Sequence, residues 1–341
     1  MSDENTANSH NIGPAENPDL QGLLFESSPY GNVDAIIQHD DRTVYFYLNG
    51  EEAFGTRAVW VRNLAEAPYV INQDEMQDGL PPMMPRTHCR SPKGLPIPKA
   101  ECLKIVWLEE GSGAALFDDD ELIAVIPPWS GIDGFHGYSF ECTAESPIAW
   151  PLPDHDQLRL RINNAYEFWK SCESEEGHPY SLLQPTILAT YKDHFDQQET
   201  YFTIDGGKFP PRGAVVYRYR NQLVIASVGM SMRPQPGAEL AVEHPSQFRR
   251  IEMALAVPTN RPINEIQEVL KQFSGLVAWP WDGFTWFGEG HSCEISSLAD
   301  VVENHPTTLR FSIKPPYGIP HITMPDFRSD PVNLLWLVAA D

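Results

Sequence analysis

The sequence lacks the features that would place the chain in a membrane or in an oxidising compartment. No stretch approaches the roughly 18 to 20 uninterrupted apolar residues that span a bilayer, and residues 1–20 contain neither a basic segment nor an apolar run, so no secretory signal is expected. The 5 cysteines among 341 residues are odd in number and widely spaced, unlike a disulfide framework or the paired cysteines of a zinc site. We therefore expect a soluble, cytoplasmic protein with reduced thiols.

Basic residues are scarce. The chain has 24 Lys and Arg against 47 Asp and Glu, a net charge of −23, and residues 1–157 carry −18 of it while residues 158–341 carry −5. Such a surface repels nucleic-acid phosphates, so direct binding of DNA or RNA is not expected. It would attract a basic protein and speed the encounter. The alternative is that the acidity only keeps the protein soluble.

The motifs of common enzyme classes are also missing. There is no Walker A or dinucleotide-binding glycine loop, and Gly111-Ser112-Gly113 is shorter than a nucleophile elbow. Residues 39–41, 154–156 and 193–194 each place a histidine beside aspartate, which are suitable metal ligands, but without the i, i+4 histidine spacing of a helical site. A metal-dependent hydrolase is therefore the alternative hypothesis, whereas polar turns explain the same residues without a metal. We expect no cofactor and no catalytic activity.

The composition predicts an α+β fold of short elements. The 31 prolines and 23 glycines would interrupt long helices. Residues 1–20 are polar and acidic and predict a disordered tail. Residues 21–153 read as a β-rich N-terminal lobe with a hairpin turn at Asn49-Gly50, followed by a long ordered loop over residues 67–99. Residues 154–341 form the second lobe, in which helices flank a mixed or antiparallel sheet.

Two helices of the second lobe follow from hydrophobic periodicity. Apolar residues at helical spacing predict an amphipathic helix of about four turns, with a buried face formed by Leu158, Ile162, Ala165, Tyr166 and Trp169. The second helix begins near Ile263 and is expected to end at Gly275. A third helical stretch, residues 181–195, is expected to be interrupted at Pro185.

Two groups of residues are candidate partner-binding sites. Four consecutive acids between two strands, Asp118, Asp119, Asp120 and Glu121, indicate either a solvated hairpin turn or a docking site for a basic partner. The densest aromatic cluster includes Trp279, Trp281 and Trp286. Aromatic residues dominate interface hot spots but also fill cores, and Pro280 and Gly283 favour a partly exposed loop here.

From about Tyr201 onward the sequence resembles the suppressor-of-fused family in its bacterial form. The matching segments occur in order over roughly 140 residues. They are YFTIDGG at 201–207, FPPR at 209–212, VGMSMRPQP at 228–236, RRIE at 249–252, PW at 280–281, GEGH at 288–291 and RSDPVNLLWL at 328–337. Residues 33–150 are similar, more faintly, to the N-terminal region that accompanies this domain in longer bacterial members.

The resemblance implies a suppressor-of-fused-like C-terminal domain that binds proteins without catalysing a reaction. The animal member sequesters a transcription factor, and bacterial members are thought to neutralise toxins as immunity proteins. An acidic N-terminal half suits that role if the toxin or regulated partner is basic. The sequence therefore predicts a sequestering module for a basic protein, with the acidic run and the tryptophans as candidate contacts.

Overall fold

The computed structural model describes residues 20–154, 156–174, 176–195, 197–259, 263–294 and 308–340. Over these residues the chain forms three β-sheets and five α-helices, with the two smaller sheets in the N-terminal region. The predicted α+β class with a sheet-rich N-terminal region is confirmed. The predicted disordered tail, residues 1–20, lies outside the described residues apart from Leu20.

The first sheet is an antiparallel meander whose four strands follow one another along the chain. Alternate side chains of its second strand are buried from Val33 to His39, which is the period of two that a half-buried strand shows. The strands are β1 (Gln21–Ser27), β2 (Val33–His39), β3 (Thr43–Gly50) and β4 (Thr56–Asn63).

The tight turn predicted at Asn49-Gly50 is wrong. Asn49 pairs with Thr56, so both predicted turn residues belong to β3, and residues 51–55 make the connection. The loop is longer because Phe54 folds back over Gly50, where a Cβ atom would lie 2.7 Å from the phenylalanine ring. Phe54 is buried, and its burial outweighs the local preference of Asn-Gly for a two-residue turn.

The second sheet has five strands and shares a hydrophobic core with the first. The proline-rich loop predicted over residues 67–99 precedes it and contains one short helix, α1 (Gln73–Gln77). The strands are β5 (Leu103–Trp107), β6 (Ala114–Asp118), β7 (Glu121–Ile126), β8 (Tyr138–Ser139) and β9 (Trp150–Pro151).

The third sheet has seven strands in the order β10, β11, β12, β13, β16, β15, β14. Its neighbouring strands are antiparallel except for β13 and β16, which are parallel. The strands are β10 (Gln197–Thr203), β11 (Gly213–Tyr219), β12 (Gln222–Val228), β13 (Arg250–Pro258), β14 (Ser292–Cys293), β15 (Leu309–Ser312) and β16 (Val332–Ala339).

Two helices cover the two faces of this seven-stranded sheet. Leu183 and Tyr191 of α3 pack in one core, and Phe273 of α5 packs in the core on the other face, so the region has three layers. The preceding helix, α2, packs its Leu158 and Ile162 against the five-stranded sheet. No helix among the described residues is long and apolar enough to cross a bilayer. The helices after α1 are α2 (Asp156–Cys172), α3 (Pro179–Lys192), α4 (Ala238–Ala241) and α5 (Ile263–Asp282).

Three details of the helix predictions are wrong. Tyr166 was expected on the buried face of α2 but is 41% exposed, and Phe168 is buried instead. Pro185 lies inside α3 without ending it. Gly275 does not end α5, which continues to Asp282. Gly275 is exposed with open space around the position of a Cβ atom, so nothing outside the helix stops it there.

A fully buried carboxylate, Glu252 of β13, fixes the chain segment that follows β12. Its Oε2 accepts a hydrogen bond from Ser227 Oγ at 2.5 Å. Its Oε1 accepts from the backbone amides of Gly229 and Ser231, both at 3.0 Å, and from Ser231 Oγ at 2.7 Å. Burial raises the pKa of Glu252 above its ordinary value, and these hydrogen bonds offset only part of that effect.

We expect the stability that Glu252 contributes to fall as the pH rises. Its native pKa is raised, so the native carboxyl holds a proton where the unfolded one, with a pKa of about 4.3, has lost it. The contribution is therefore complete below the unfolded pKa and is lost as the pH rises through the native pKa. Glu252→Gln should flatten this decline, as measured by urea unfolding over about pH 4 to 7.

Glu145→Gln provides the control, because it removes an exposed carboxyl instead of a buried one. Its unfolding free energy should follow the pH in the same way as that of the unaltered chain. If Glu252→Gln also shows an unchanged pH dependence, Glu252 does not titrate as its burial requires.

Candidate functional site

The three candidate tryptophans do not share one environment. Trp281 is only 3% exposed, and its indole nitrogen donates to the carbonyl of Pro234 at 2.9 Å. The loop expected around Pro280 is the last turn of α5, which points Trp281 into the core. Its burial removes Trp281 from the candidate contact surface.

Trp279 and Trp286 remain accessible. Trp279 is 46% exposed and packs edge-on against Phe287. Trp286 is partly buried and lies between two other rings, with centroids 6.2 Å from Phe248 and 4.6 Å from His291. These two tryptophans are exposed enough for a partner to reach.

The acidic run forms a tight hairpin turn. Asp118 and Glu121 pair across β6 and β7, so Asp119 and Asp120 make the turn, with Asp119 in the left-handed region at φ 52°. Arg62 donates to Asp118 at 3.0 Å. The other three acids are exposed, and no cationic side chain of the described residues lies within ion-pair distance of them.

Two acids of this hairpin also lie close to a cysteine. The Sγ atom of Cys102 and carboxylate oxygens of Asp118 and Asp119 all lie within 4.8 Å of one another, close enough to share a metal ion. Hydrogen bonding to Asp119 is the main cause that raises the pKa of the Cys102 thiol. Asp118 is already engaged by Arg62, and nothing else in the hairpin points to a metal ligand.

The histidine and aspartate pairs of the alternative hypothesis make local contacts. His39 Nδ1 lies 2.8 Å from the carbonyl of Asp40, whose carboxylate is paired with Arg42 at 2.7 Å. His194 Nδ1 lies 2.8 Å from the carbonyl of Thr190, one turn back in α3. His155 lies outside the described residues.

The acidic hairpin adjoins the outer face of α2. Asp119 and Asp120 line one shallow depression together with Tyr166 of α2. Tyr166 is 41% exposed. Tyr166 and the three acids that lack an ion pair form what we call the α2 surface: Asp119, Asp120, Glu121 and Tyr166.

Another face of α2 carries Leu160, which is 58% exposed and lies at the edge of a cavity of about 350 Å³ between α2 and the seven-stranded sheet. Four arginines and four acids form a charge network in and beside this cavity. The acids follow β5 (Glu109, Glu110), lie in α4 (Glu239) and precede β16 (Asp330), and the arginines are Arg161, Arg249, Arg250 and Arg328.

Arg250 is the most deeply buried arginine of the charge network, with a side chain that is 1% exposed. It donates to Asp330 at 2.8 Å and to Glu109 at 2.5 Å. Its remaining donors reach the carbonyls of Ser231 and Met232 at 2.9 and 3.0 Å. Arg250 therefore connects the β5–β6 turn of the N-terminal region with its own strand β13 and with two further segments of the C-terminal region, those after β12 and before β16.

Glu110 is the acid at the opposite end of the charge network. Burial alone would raise its pKa, but Arg161 and Arg249 more than offset that effect and lower it. The same contacts hold the pKa of Arg161 above its usual value despite burial, through Glu110 and Glu239. Oε2 of Glu110 has no hydrogen-bond donor among the described residues.

Sequence reasoning did not identify the charge network as a unit. Arg249 and Arg250 stand directly before an apolar strand, and Asp330 stands two residues before another, which is an unusual place for charge in a protein core. That pattern was the available signal. It could not show which acids pair with which arginines, because the partners are far apart in sequence.

Searches against protein-family models and against curated proteins found no match for this chain. The resemblance to the suppressor-of-fused family therefore stays a prediction from the segments quoted above.

Replacing Arg250 should destabilise the fold strongly. Arg250→Met leaves Glu109, Asp330 and two carbonyls without their donor, and breaking a buried ion pair in this way costs about 3–5 kcal/mol of unfolding free energy. Arg218→Met is the matched control, because the Arg218 side chain is 47% exposed and pairs with Glu199 on the surface, where such pairs contribute at most about 1 kcal/mol. Urea unfolding measures both, and equal losses would contradict the assigned role.

Proposed function

We propose that the chain is a non-catalytic module that binds and sequesters a basic protein. The observation that carries this proposal is the α2 surface, where Asp119, Asp120 and Glu121 are exposed and lack an ion pair, beside the exposed ring of Tyr166. A tight turn holds the acids in place. Carboxylates fixed in this way can meet the lysines or arginines of a partner with little loss of conformational freedom.

The distribution of charge supports the same partner class. The α2 surface lies largely on the part of the chain, residues 1–157, that carries −18 of the −23 net charge. A field of that sign steers a basic protein toward this side of the molecule and raises the rate of productive encounter. The three carboxylates then act at short range, where electrostatic complementarity selects the partner.

Apolar side chains supply the remaining contacts. Tyr166 is exposed within the α2 surface, Leu160 and Trp279 are exposed elsewhere, and Trp286 is partly exposed. Exposed aromatic residues of this kind are the usual anchors of protein interfaces. A partner that covers Tyr166 would exclude water from the adjacent carboxylates and strengthen their pairing.

The biological role that agrees with these features and with the family resemblance is that of an immunity protein or of a regulator that occludes its target. Sequestration needs no cofactor, and we propose none. A cytoplasmic location and the absence of nucleic-acid binding stay predictions.

Affinity capture from the native host at low salt tests the partner class. One dominant, stoichiometric and basic protein should be recovered at about 50 mM salt and lost at about 500 mM, because salt screens exposed charges. Mass spectrometry identifies it. Repeated captures that yield no enriched protein, or only acidic ones, would contradict the proposal.

Charge removal from the hairpin tests the α2 surface itself. Asp119→Asn, Asp120→Asn and Glu121→Gln together should slow association with the captured partner about three- to tenfold at low salt, because local steering is lost. The control combines Glu145→Gln, Asp193→Asn and Glu243→Gln, which remove three exposed charges elsewhere and leave the same net charge. Stopped-flow association rates that fall equally in both variants would show that only total charge matters.

A further inference from the structure

A second cavity lies between the two halves of the chain and differs from the first in the ion pairing of its arginines. Its volume is about 420 Å³, larger than an inorganic phosphate ion needs. The β1–β2 turn and the exposed Glu51 of the β3–β4 loop form one side, and residues 208–212 and the end of α5 form the other. Four aromatic residues line it: Tyr30, Phe209, Trp281 and Phe284.

Arg233 lies at this cavity without an acidic partner. It is 6% exposed, and its guanidinium stacks on the ring of Tyr30 at 3.6 Å. Its Nε donates to the carbonyl of Glu110 at 3.1 Å, but its Nη2 has no hydrogen-bond acceptor among the described residues. No carboxylate of the described residues lies within ion-pair distance of it. Burial lowers the pKa of Arg233 to about 10, which is the direction expected for a cation that lacks a counter-ion.

Arg212 brings a second guanidinium to the same cavity. Its Cζ lies 5.7 Å from the ring centroid of Trp281, and that of Arg233 lies 5.9 Å from the same centroid. The Nε of Arg212 is buried and has no acceptor among the described residues. Asp205 accepts from the backbone amide of Arg212 at 2.9 Å and not from its side chain, and Asp282 at the rim is exposed.

The arginines of the charge network show what these two lack. Each of those four lies within 3.0 Å of at least one carboxylate oxygen. A buried guanidinium without such a partner is strongly unfavourable unless another anion supplies the charge. Guanidinium groups bind phosphate and carboxylate in a planar, often bidentate geometry, and flat aromatic walls favour a ring attached to that anion.

We propose that this cavity binds a small organic anion, a phosphate or carboxylate carried on a planar ring. Arg212 and Arg233 hold the anionic group, exposed Lys208 at the rim adds a third cation, and the ring lies among the aromatic walls. The indole of Trp281 is fixed by its hydrogen bond to Pro234, so the wall between the two guanidinium groups is already in place before the ligand binds. This site is independent of the α2 surface and of the proposed partner.

Isothermal titration calorimetry with simple probes tests the site. Phenyl phosphate and benzoate distinguish the two anions, inorganic phosphate tests whether the ring is needed, and benzylamine is the cationic control. We expect at least one ring-bearing anion to bind with a dissociation constant below about 1 mM, inorganic phosphate to bind more weakly, and benzylamine not to bind. If neither ring-bearing anion binds at about 10 mM, the proposal is wrong.

Two variants connect any binding to the named residues. Arg212→Gln should weaken the affinity for the probe about tenfold or more, the usual effect of losing a charge-assisted hydrogen bond. Arg218→Gln, a control at an exposed arginine in β11, should leave the affinity unchanged. Arg233→Lys keeps a positive charge but loses the planar donor pair, and it should also weaken binding about tenfold. Because Arg212 is partly exposed, its variant decides the question even if replacing Arg233 disturbs folding. Unchanged affinity in Arg212→Gln would overturn the assignment.

Discussion

The buried guanidinium of Arg250 is the constraint on which the joining of the two halves depends. An arginine that is 1% exposed is tolerated in a core only when its donors find acceptors. Here the acceptors come from Asp330, Glu109 and two backbone carbonyls. The β5–β6 turn, the segment after β12 and the segment before β16 must therefore meet at one point. Each of these segments lies beside one of the two cavities, so the contacts of Arg250 also help to fix the cavity walls.

Three of the seven segments that carry the family resemblance meet at this point. Residues 228–236 are held by Glu252 and Arg250, both in the segment 249–252, and Asp330 belongs to the segment 328–337. Sequence reasoning found these segments but could not place them together. Arg250 and Glu109 are 141 positions apart, and no local pattern relates two residues at that distance.

Local periodicity predicted which helices form better than it predicted the residues at which elements end. The buried face of α5 was predicted from spacing, since Ile266, Val269 and Phe273 repeat with the period of a helix. The errors at Asn49-Gly50 and Gly275 have a common cause. Both predictions relied on the preference of a glycine for turns or helix ends, and packing decided otherwise. At Trp281 the sequence leaves a contact surface and a core position open, and the continuation of α5 through Pro280 places it in the core.

The charge network is balanced, with four arginines and four acids, so it adds nothing to the net charge of −23. The excess acid is therefore carried by the rest of the chain, and Asp119, Asp120 and Glu121 belong to it. Arg212 and Arg233 differ from these arginines, since no carboxylate of the described residues lies within ion-pair distance of either, and each has a buried N–H group without an acceptor. The molecule therefore presents carboxylates at the α2 surface and guanidinium groups at the second cavity. These two sites select ligands of opposite charge.

The β5–β6 turn lies between the two cavities. The carboxylates of Glu109 and Glu110 face the charge network, while the carbonyls of the same residues accept from Tyr30 at 2.8 Å and from Arg233 at 3.1 Å. Coupling between two sites requires an element with two alternative arrangements. This turn is held in one arrangement by contacts on both of its sides, and Gly111 packs so closely on Tyr30 that a Cβ there would lie 2.3 Å from the ring. An anion in the second cavity and a partner on the α2 surface should therefore bind independently.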